Sequence, residues 1–399
     1  GKTIPYAGAG FQIYDPAGNK VSMTFTYPTP TTIDTFYTDA DGQLVTPEKL
    51  EYGKGYSLVE VQAPYGYVLD STPVPFDVTE ENSTQEGGIT LIKVDKPNMA
   101  QKGTISVEKT GEVFFGVNVF GEKDKDVIYQ PVYTVKGLAG AVYEITADED
   151  IITPDGTLRY HKGDVVDTVT TDEDGFAKSK ELYLGKYTVV ETKAPTGMVI
   201  NKEPHSVELT YAGQDVAVTE TVTSFYNERQ KVKISLEKVL EQNDIFGIGK
   251  NDEIKNISFG LYAKEDIVSS SGTVIPADGL IEIITLDENG KATVNTDLPF
   301  GSYYIKEIAT DEHYILSDTQ YPFTFEYAGQ DTEIVEIKVN DGKPIENKLI
   351  YGSVSGKKID ENGEALGGAL IGIFKADETE FTKEHAIMTA TSEKDGSFS

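Results

Sequence analysis

The sequence has no cysteine, no tryptophan and only four histidines in 399 residues. Without cysteine there are no disulfides, no thiolate metal ligands and no cysteine nucleophile. The histidines, at 161, 205, 313 and 385, are scattered and have no zinc-binding spacing. Basic residues are scarce: 35 Lys and Arg stand against 66 Asp and Glu, a net charge of −31. A nucleic-acid partner needs a basic face, so none is expected, and anionic membrane surfaces are disfavoured for the same reason. There is no apolar run of about 18 residues, so no membrane-inserted segment is expected, and no secretory signal pattern opens the chain. No Gly-x-Ser-x-Gly, phosphate loop or paired-carboxylate pattern points to turnover chemistry, and no cofactor or metal is expected.

What is present is repetition, with 38% hydrophobic residues, 23 Tyr and 17 Phe to build cores. Gly-Lys-Gly-Tyr-Ser-Leu-Val-Glu-Val-Gln-Ala-Pro at 53–64 returns as Gly-Lys-Tyr-Thr-Val-Val-Glu-Thr-Lys-Ala-Pro at 185–195 and as Gly-Ser-Tyr-Tyr-Ile-Lys-Glu-Ile-Ala at 301–309. Each copy carries Tyr four residues before Glu: Tyr56/Glu60, Tyr187/Glu191 and Tyr303/Glu307. An Asp-Gly or Asn-Gly turn precedes each Glu by 18, 16 or 17 residues, at 41–42, 174–175 and 289–290, and a fourth such turn is Asp395-Gly396. Such dipeptides between alternating apolar runs signal hairpins. Phe11/Ile13, Tyr143/Ile145, Phe259/Leu261 and Ile371/Ile373 mark a further period-2 strand. No long amphipathic helix is evident. The fold class is all-β, with tandem sandwiches.

An Asn follows each Glu at 38, 36 and 40 residues (Asn98, Asn227, Asn347), and a Lys follows each Asn at 11 (Lys109, Lys238, Lys358). Each Lys is expected at the end of an alternating strand. The short Asn-to-Lys step runs the last strand of one repeat almost directly into the first strand of the next. This divides the chain into 1–99, 100–228, 229–348 and 349–399. The first repeat lacks its first strand and Lys, the second carries an insertion with an extra strand at 113–120, and the last stops before its Glu and Asn. The expectation is a slice of a longer array.

At these residues the chain resembles the Cna-B (SpaA-type, prealbumin-like) domains of Gram-positive surface proteins and pilins. The resemblance rests on the first-strand Lys, the Leu-x-Gly-Ala strand opening, the Tyr-x-x-x-Glu-x-x-Ala-Pro-x-Gly strand and the closing Asn. It implies inverse immunoglobulin-like sandwiches in an elongated array. It also implies intramolecular isopeptide bonds, Lys109–Asn227 aided by Glu191 and Lys238–Asn347 aided by Glu307. Glu60 and Asn98 belong to an incomplete repeat, as does Lys358, which the 11-residue register favours over Lys357. The third repeat departs, with Ala309-Thr310-Asp311 near the Ala-Pro position.

The chemistry also follows from the residues. Tyr187, Val189 and Glu191 share one strand face, so Glu191 should point into the core. Burial raises a carboxyl pKa and lowers an amine pKa. A neutral amine is a nucleophile, the Asn carboxamide an electrophile, and a protonated Glu a proton shuttle. The bland counterpart is a buried Glu–Lys ion pair with a hydrogen-bonded Asn. The Asp-x-Asp/Asn-Gly turns (Asp39, Asp172, Asp287 and Asp360 first) are read as turns rather than calcium loops, because position 12 is Leu50, Tyr183, Leu298 or Ile371 instead of Glu. The sequons at Asn82 and Asn256 are read as chance, and Leu298-Pro299-Phe300-Gly301 lacks the Thr of a sortase signal.

The role expected is a stalk segment of an extracellular, cell-wall-associated adhesin or pilin-like protein, not an enzyme, monomeric as a segment, whose host or extracellular ligand binds elsewhere. The alternatives are a pilin backbone subunit, a carbohydrate- or host-ligand-binding module of a secreted protein, or a ligand site in the 110–136 insertion.

Overall fold

A computed structural model describes residues 4–86, 89–121 and 127–399. Among them the chain is β throughout, and its helical segments are two 3-10 turns, Glu253–Asn256 and Val339–Gly342. It folds as two bodies: 1–113 with 134–230 and 329–333, and 114–133 with 231–328 and 334–399.

In the first body the second repeat is a two-sheet sandwich. Its Lys strand, Lys102–Phe120, pairs antiparallel with Phe176–Lys178 and Leu182–Tyr183. On its other side it pairs parallel with the closing strand Val218–Asn227, from Lys102 opposite Val218 to Gly111 opposite Asn227. The facing sheet runs Val165–Thr170, Val142–Ala147, Gly185–Lys193, His205–Leu209. Ile105, Val107, Tyr143, Ile145, Tyr187, Val189, Leu209 and Phe225 fill the space between. Each such buried side chain contributes about 1.5–3 kcal/mol. The period-2 alternation that buries Ile105 and Val107 carries Lys109 onto the same inward face.

The first repeat has one four-stranded sheet, in the order Phe36–Tyr37, Gly10–Tyr14, Gly53–Gln62, Val74–Val78, over a smaller core of Ile13, Met23, Phe36, Tyr56 and Val78. Its closing segment is irregular. Asn98 precedes a two-residue strand, Met99–Ala100, that pairs with Tyr67–Val68.

In the second body the third repeat has the same plan. Its Lys strand, Lys231–Leu240, pairs parallel with Ile334–Lys338 and Ile345–Asn347, the break between them being the Val339–Gly342 turn. The facing sheet is Leu280–Thr285, Ser258–Ala263, Gly301–Ala309, Gln320–Phe325. The last segment forms two strand pairs, Gly356–Lys357 with Ser397–Phe398 and Leu370–Ile373 with Met388–Thr391.

Two expectations are corrected. Lys109 is not at a strand end: its strand runs on to Phe120, nineteen residues in all. The insertion therefore extends the Lys strand, and Ile128–Gly137 pairs beside it. Phe114, Val117 and Tyr129 pack against the third repeat's core within the second body, so these apolar side chains are not a ligand surface, although Val119 and Phe120 stay exposed. Among the described residues no helix is long and apolar enough to cross a membrane.

Candidate functional site

Each Glu strand delivers its carboxylate to the core by one local device. Phe11, Tyr143 and Phe259 lie directly opposite Glu60, Glu191 and Glu307, and in each case the register slips by one residue beside that pair. A bulge there bends the strand and re-aims the side chain. Glu60, Glu191 and Glu307 are all at most 3% exposed. Each turns one oxygen to the backbone N–H ten residues on: Asp70 at 3.1 Å, Asn201 at 2.7 Å and Ser317 at 3.0 Å.

The closing asparagine meets that carboxylate in all three repeats. Asn98 Nδ2 donates to Glu60 at 2.8 and 3.0 Å, Asn227 Nδ2 to Glu191 at 2.8 Å, and Asn347 Nδ2 to Glu307 at 2.8 and 3.0 Å. The remaining donor of Nδ2 goes to the Val68 carbonyl at 3.3 Å or the Val199 carbonyl at 2.7 Å in the first two. In the third it goes to Thr310 Oγ1 at 3.0 Å. Counted from the Glu, Thr310 stands where the others have Ala63 and Ala194, and Asp311 where they have Pro64 and Pro195. The departure noted in the sequence thus supplies a hydroxyl to the site.

The lysines complete the triads in repeats two and three. Lys109 Nζ lies 3.1 Å from Glu191 Oε1, both side chains fully buried. Lys238 Nζ donates to Asn347 Oδ1 at 2.6 Å and lies 3.6 Å from Glu307 Oε1. The residue two beyond the lysine pairs with the asparagine in both repeats, Gly111 with Asn227 and Leu240 with Asn347. Burial pulls the pKa of Lys109 and Lys238 below the usual lysine value, with the neighbouring glutamates acting the other way. In repeat two the Tyr143 and Phe225 rings lie 5.7 and 5.9 Å from Nζ. Asn227 Oδ1 is buried and accepts no hydrogen bond.

The turns also shape the site. Asp39, Asp172, Asp287 and Asp360 each accept two backbone N–H groups, two and four residues on, through one Oδ1. These carboxylates hold turns together. The lysine backbone N–H donates to the turn glycine at 2.7 Å in three repeats, Lys109 to Gly175, Lys238 to Gly290 and Lys358 to Gly396. Those glycines have φ of +84°, +73° and +79°, and a Cβ on any of them would come within 2.4 Å of the lysine carbonyl oxygen. Only glycine fits both demands. Lys358 therefore has the register of the other two lysines, but its side chain is exposed and reaches only the Ile359 carbonyl, at 3.2 Å.

Glu60 has Asn98 and no ion-pair partner among the described residues. The nearby Lys96 pairs with Asp70 at 2.8 Å. Burial raises the Glu60 pKa, opposed chiefly by the Asn98 hydrogen bond.

The model of the SpaA prealbumin-like fold domain matches residues 2–93, 131–223 and 246–343. The "Trypsin-resistant surface T6 protein" of Streptococcus pyogenes serotype M6 is 27% identical over 139 residues, which cover 34% of this chain and 24% of that protein. Among solved structures, the Bacillus anthracis TIE protein is 22% identical with a TM-score of 0.48, over 87% of this chain and 48% of that one. The major pilin subunit of Bacillus cereus is 18% identical with a TM-score of 0.26, over 86% and 95%. The chain thus spans about a quarter of the streptococcal protein and about half of the anthracis one.

Proposed function

Because the chain belongs to the family of SpaA prealbumin-like fold domains, we propose that its second and third repeats each close themselves with a side-chain amide, Lys109 to Asn227 with Glu191 assisting, and Lys238 to Asn347 with Glu307 assisting. The carrying observation is that one carboxylate touches both reacting nitrogens. Glu191 reaches Lys109 Nζ through Oε1 and Asn227 Nδ2 through Oε2.

The reaction this arrangement supports is a transamidation. Burial favours the neutral amine of the lysine. Nζ attacks the asparagine Cγ, and a new C–N bond forms. The Cγ–Nδ2 bond breaks, one Nζ proton crosses by way of the carboxylate to Nδ2, and ammonia leaves. Packing provides the proximity that an unassisted amine and carboxamide lack. The product is neutral, so the lysine charge no longer has to be accommodated in the core. The link also closes a loop of more than a hundred residues. By analogy with a disulfide of that span it stabilises by about 4–5 kcal/mol. It is a single self-modification rather than turnover.

In this reading the chain is a stalk segment of a cell-wall-associated extracellular protein. Covalently closed repeats hold a binding region, located elsewhere, away from the surface. The net charge of −31 speaks against nucleic acid as a partner.

Intact mass under denaturing conditions tests the chemistry. The expected value is lower than the sequence mass by two ammonia molecules, with tandem spectra locating the links at Lys109–Asn227 and Lys238–Asn347. An unmodified mass overturns the proposal and leaves two buried ion pairs.

A further inference from the structure

Five residues occur twice without change, Tyr211-Ala212-Gly213-Gln214-Asp215 and Tyr327-Ala328-Gly329-Gln330-Asp331. Within the first body, Gln214 Oε1 accepts the Ala63 N–H at 2.8 Å, its Nε2 donates to the Val61 carbonyl at 3.4 Å, and its backbone carbonyl accepts the Leu69 N–H at 2.9 Å. Gln330 makes the matching bonds: its Oε1 accepts the Ala194 N–H at 2.8 Å and its carbonyl accepts the Ile200 N–H at 2.9 Å. Counted from Glu60 and Glu191, the residues gripped are the third and the ninth in both cases. A loop of one repeat is therefore hydrogen-bonded to the Ala-Pro loop of the repeat before it.

A second glutamine, three residues after each closing asparagine, locks the loop from its inner side. Gln101 Nε2 donates to the Gly213 and Val216 carbonyls at 2.8 and 2.6 Å, and its Oε1 accepts the Ala212 N–H at 2.9 Å. Gln230 Nε2 donates to the Gly329 and Thr332 carbonyls at 2.9 and 2.8 Å. Their backbone N–H groups meanwhile donate to Gly66 and Gly197 of the preceding Ala-Pro loops, each at 2.9 Å. Each hinge glutamine thus joins both partners. Gln101 and Gln230 are 1% and 0% exposed.

We infer that the Tyr-Ala-Gly-Gln loop is an inter-repeat docking key. Its socket is the preceding repeat's Ala-Pro loop together with the hinge glutamine. The site that follows Asn347 lacks the socket. Ile350 occupies the hinge position, donates its backbone N–H to His313 at 2.9 Å, and is 58% exposed. Thr310 stands in place of the gripped alanine with its hydroxyl bonded to Asn347. Asp311, in place of the proline, accepts from Asn256 Nδ2 at 2.8 Å and pairs with His313 at 2.6 Å. The partner the key fits is therefore an Ala-Pro loop with a glutamine hinge, a combination that the Thr310, Asp311 and Ile350 positions do not offer. This does not depend on the cross-links.

Hydrogen–deuterium exchange on the full chain tests it. Gln214→Ala should speed exchange about tenfold or more in peptides spanning 61–70, and leave 142–147 and 185–193 at wild-type rates. Gln330→Ala should do the same at 192–201, and gives an independent reading should the first variant fold poorly. Gln101→Ile, which copies the third junction, should loosen 61–70 and 209–217 together. Unchanged exchange at 61–70 and at 192–201 in folded variants overturns the inference.

Discussion

The first repeat and the second assemble the same carboxylate–carboxamide pair, but among the described residues only the second brings a lysine to it. Glu60 and Asn98 meet at 2.8 Å, as do Glu191 and Asn227, and the amide ten residues on closes both pockets. The pocket is therefore built by the Glu strand, its bulge and the loop after it. The lysine arrives from a separate strand. Where it is absent, burial acts on the acid alone and raises its pKa. Where it is present, the lysine nitrogen and the carboxylate lie 3.1 Å apart in the core, and burial acts on both.

The largest contrast should come from removing the acid. Glu191→Ala is expected to reduce the deficit from the variant's own sequence mass from two ammonia molecules to one. It should also destabilise repeat two by the lost link, about 4–5 kcal/mol, and by a lysine left buried without a partner, about 3–5 kcal/mol. Glu60→Ala should leave the deficit at two ammonia molecules, and any change in that deficit would break the comparison. Calorimetric unfolding and mass spectrometry read both.

Gly175→Ala forces a Cβ onto the Lys109 carbonyl at positive φ, and is expected to cost about 1–3 kcal/mol. It should slow linking, seen as an unlinked fraction in mass spectra of freshly synthesised protein. Gly42→Ala, at φ +68° beside Pro5 and Tyr6, should alter stability without altering the ammonia deficit.

The two repeats should also respond oppositely to pH. The lysines of repeats two and three have lowered pKa values, so their neutral amine is present from that lowered pKa upward. Linking of freshly synthesised, not yet linked protein should slow as pH falls below it, as acid-quenched mass spectra would record. In repeat one the folded state of Glu60 binds a proton that the unfolded chain releases between the unfolded and the raised folded pKa. Its contribution is full below the unfolded value and lost as pH rises through the folded one. Glu60→Gln should flatten that slope in exchange measurements on repeat one. The smallest expected effect is Thr310→Val, which removes one hydrogen bond to Asn347 for about 1 kcal/mol, read by the unfolding midpoint of repeat three.

Much of this was legible in the sequence because it is periodic. The Tyr-to-Glu step of four, the 11-residue Asn-to-Lys step and the Asp-Gly turns fixed the strand faces on which Lys109, Glu191 and Asn227 meet. What was not legible depends on backbone irregularity and on contacts distant along the chain. The one-residue slip beside Tyr143 and Glu191 leaves no compositional mark. The use of Thr310 as a partner for Asn347 reads in sequence only as a missing proline. The packing of Phe114, Val117 and Tyr129 on the third repeat's core could not be inferred from an apolar run alone, which suits a ligand groove equally well. The repeated Tyr-Ala-Gly-Gln-Asp was an available signal, but nothing local says what it grips.

The parallel pairing of the Lys strand with the closing strand has a consequence for damage. With Lys109 joined to Asn227, a pull on the chain travels from Lys102 along a few residues to Lys109 and leaves through Asn227. Everything from 110 to 226 becomes a detour. A protease nick anywhere in that detour would sever the backbone and leave the tether unbroken. The detour includes the whole insertion hairpin, so a long and partly exposed loop can be carried without becoming the weakest link.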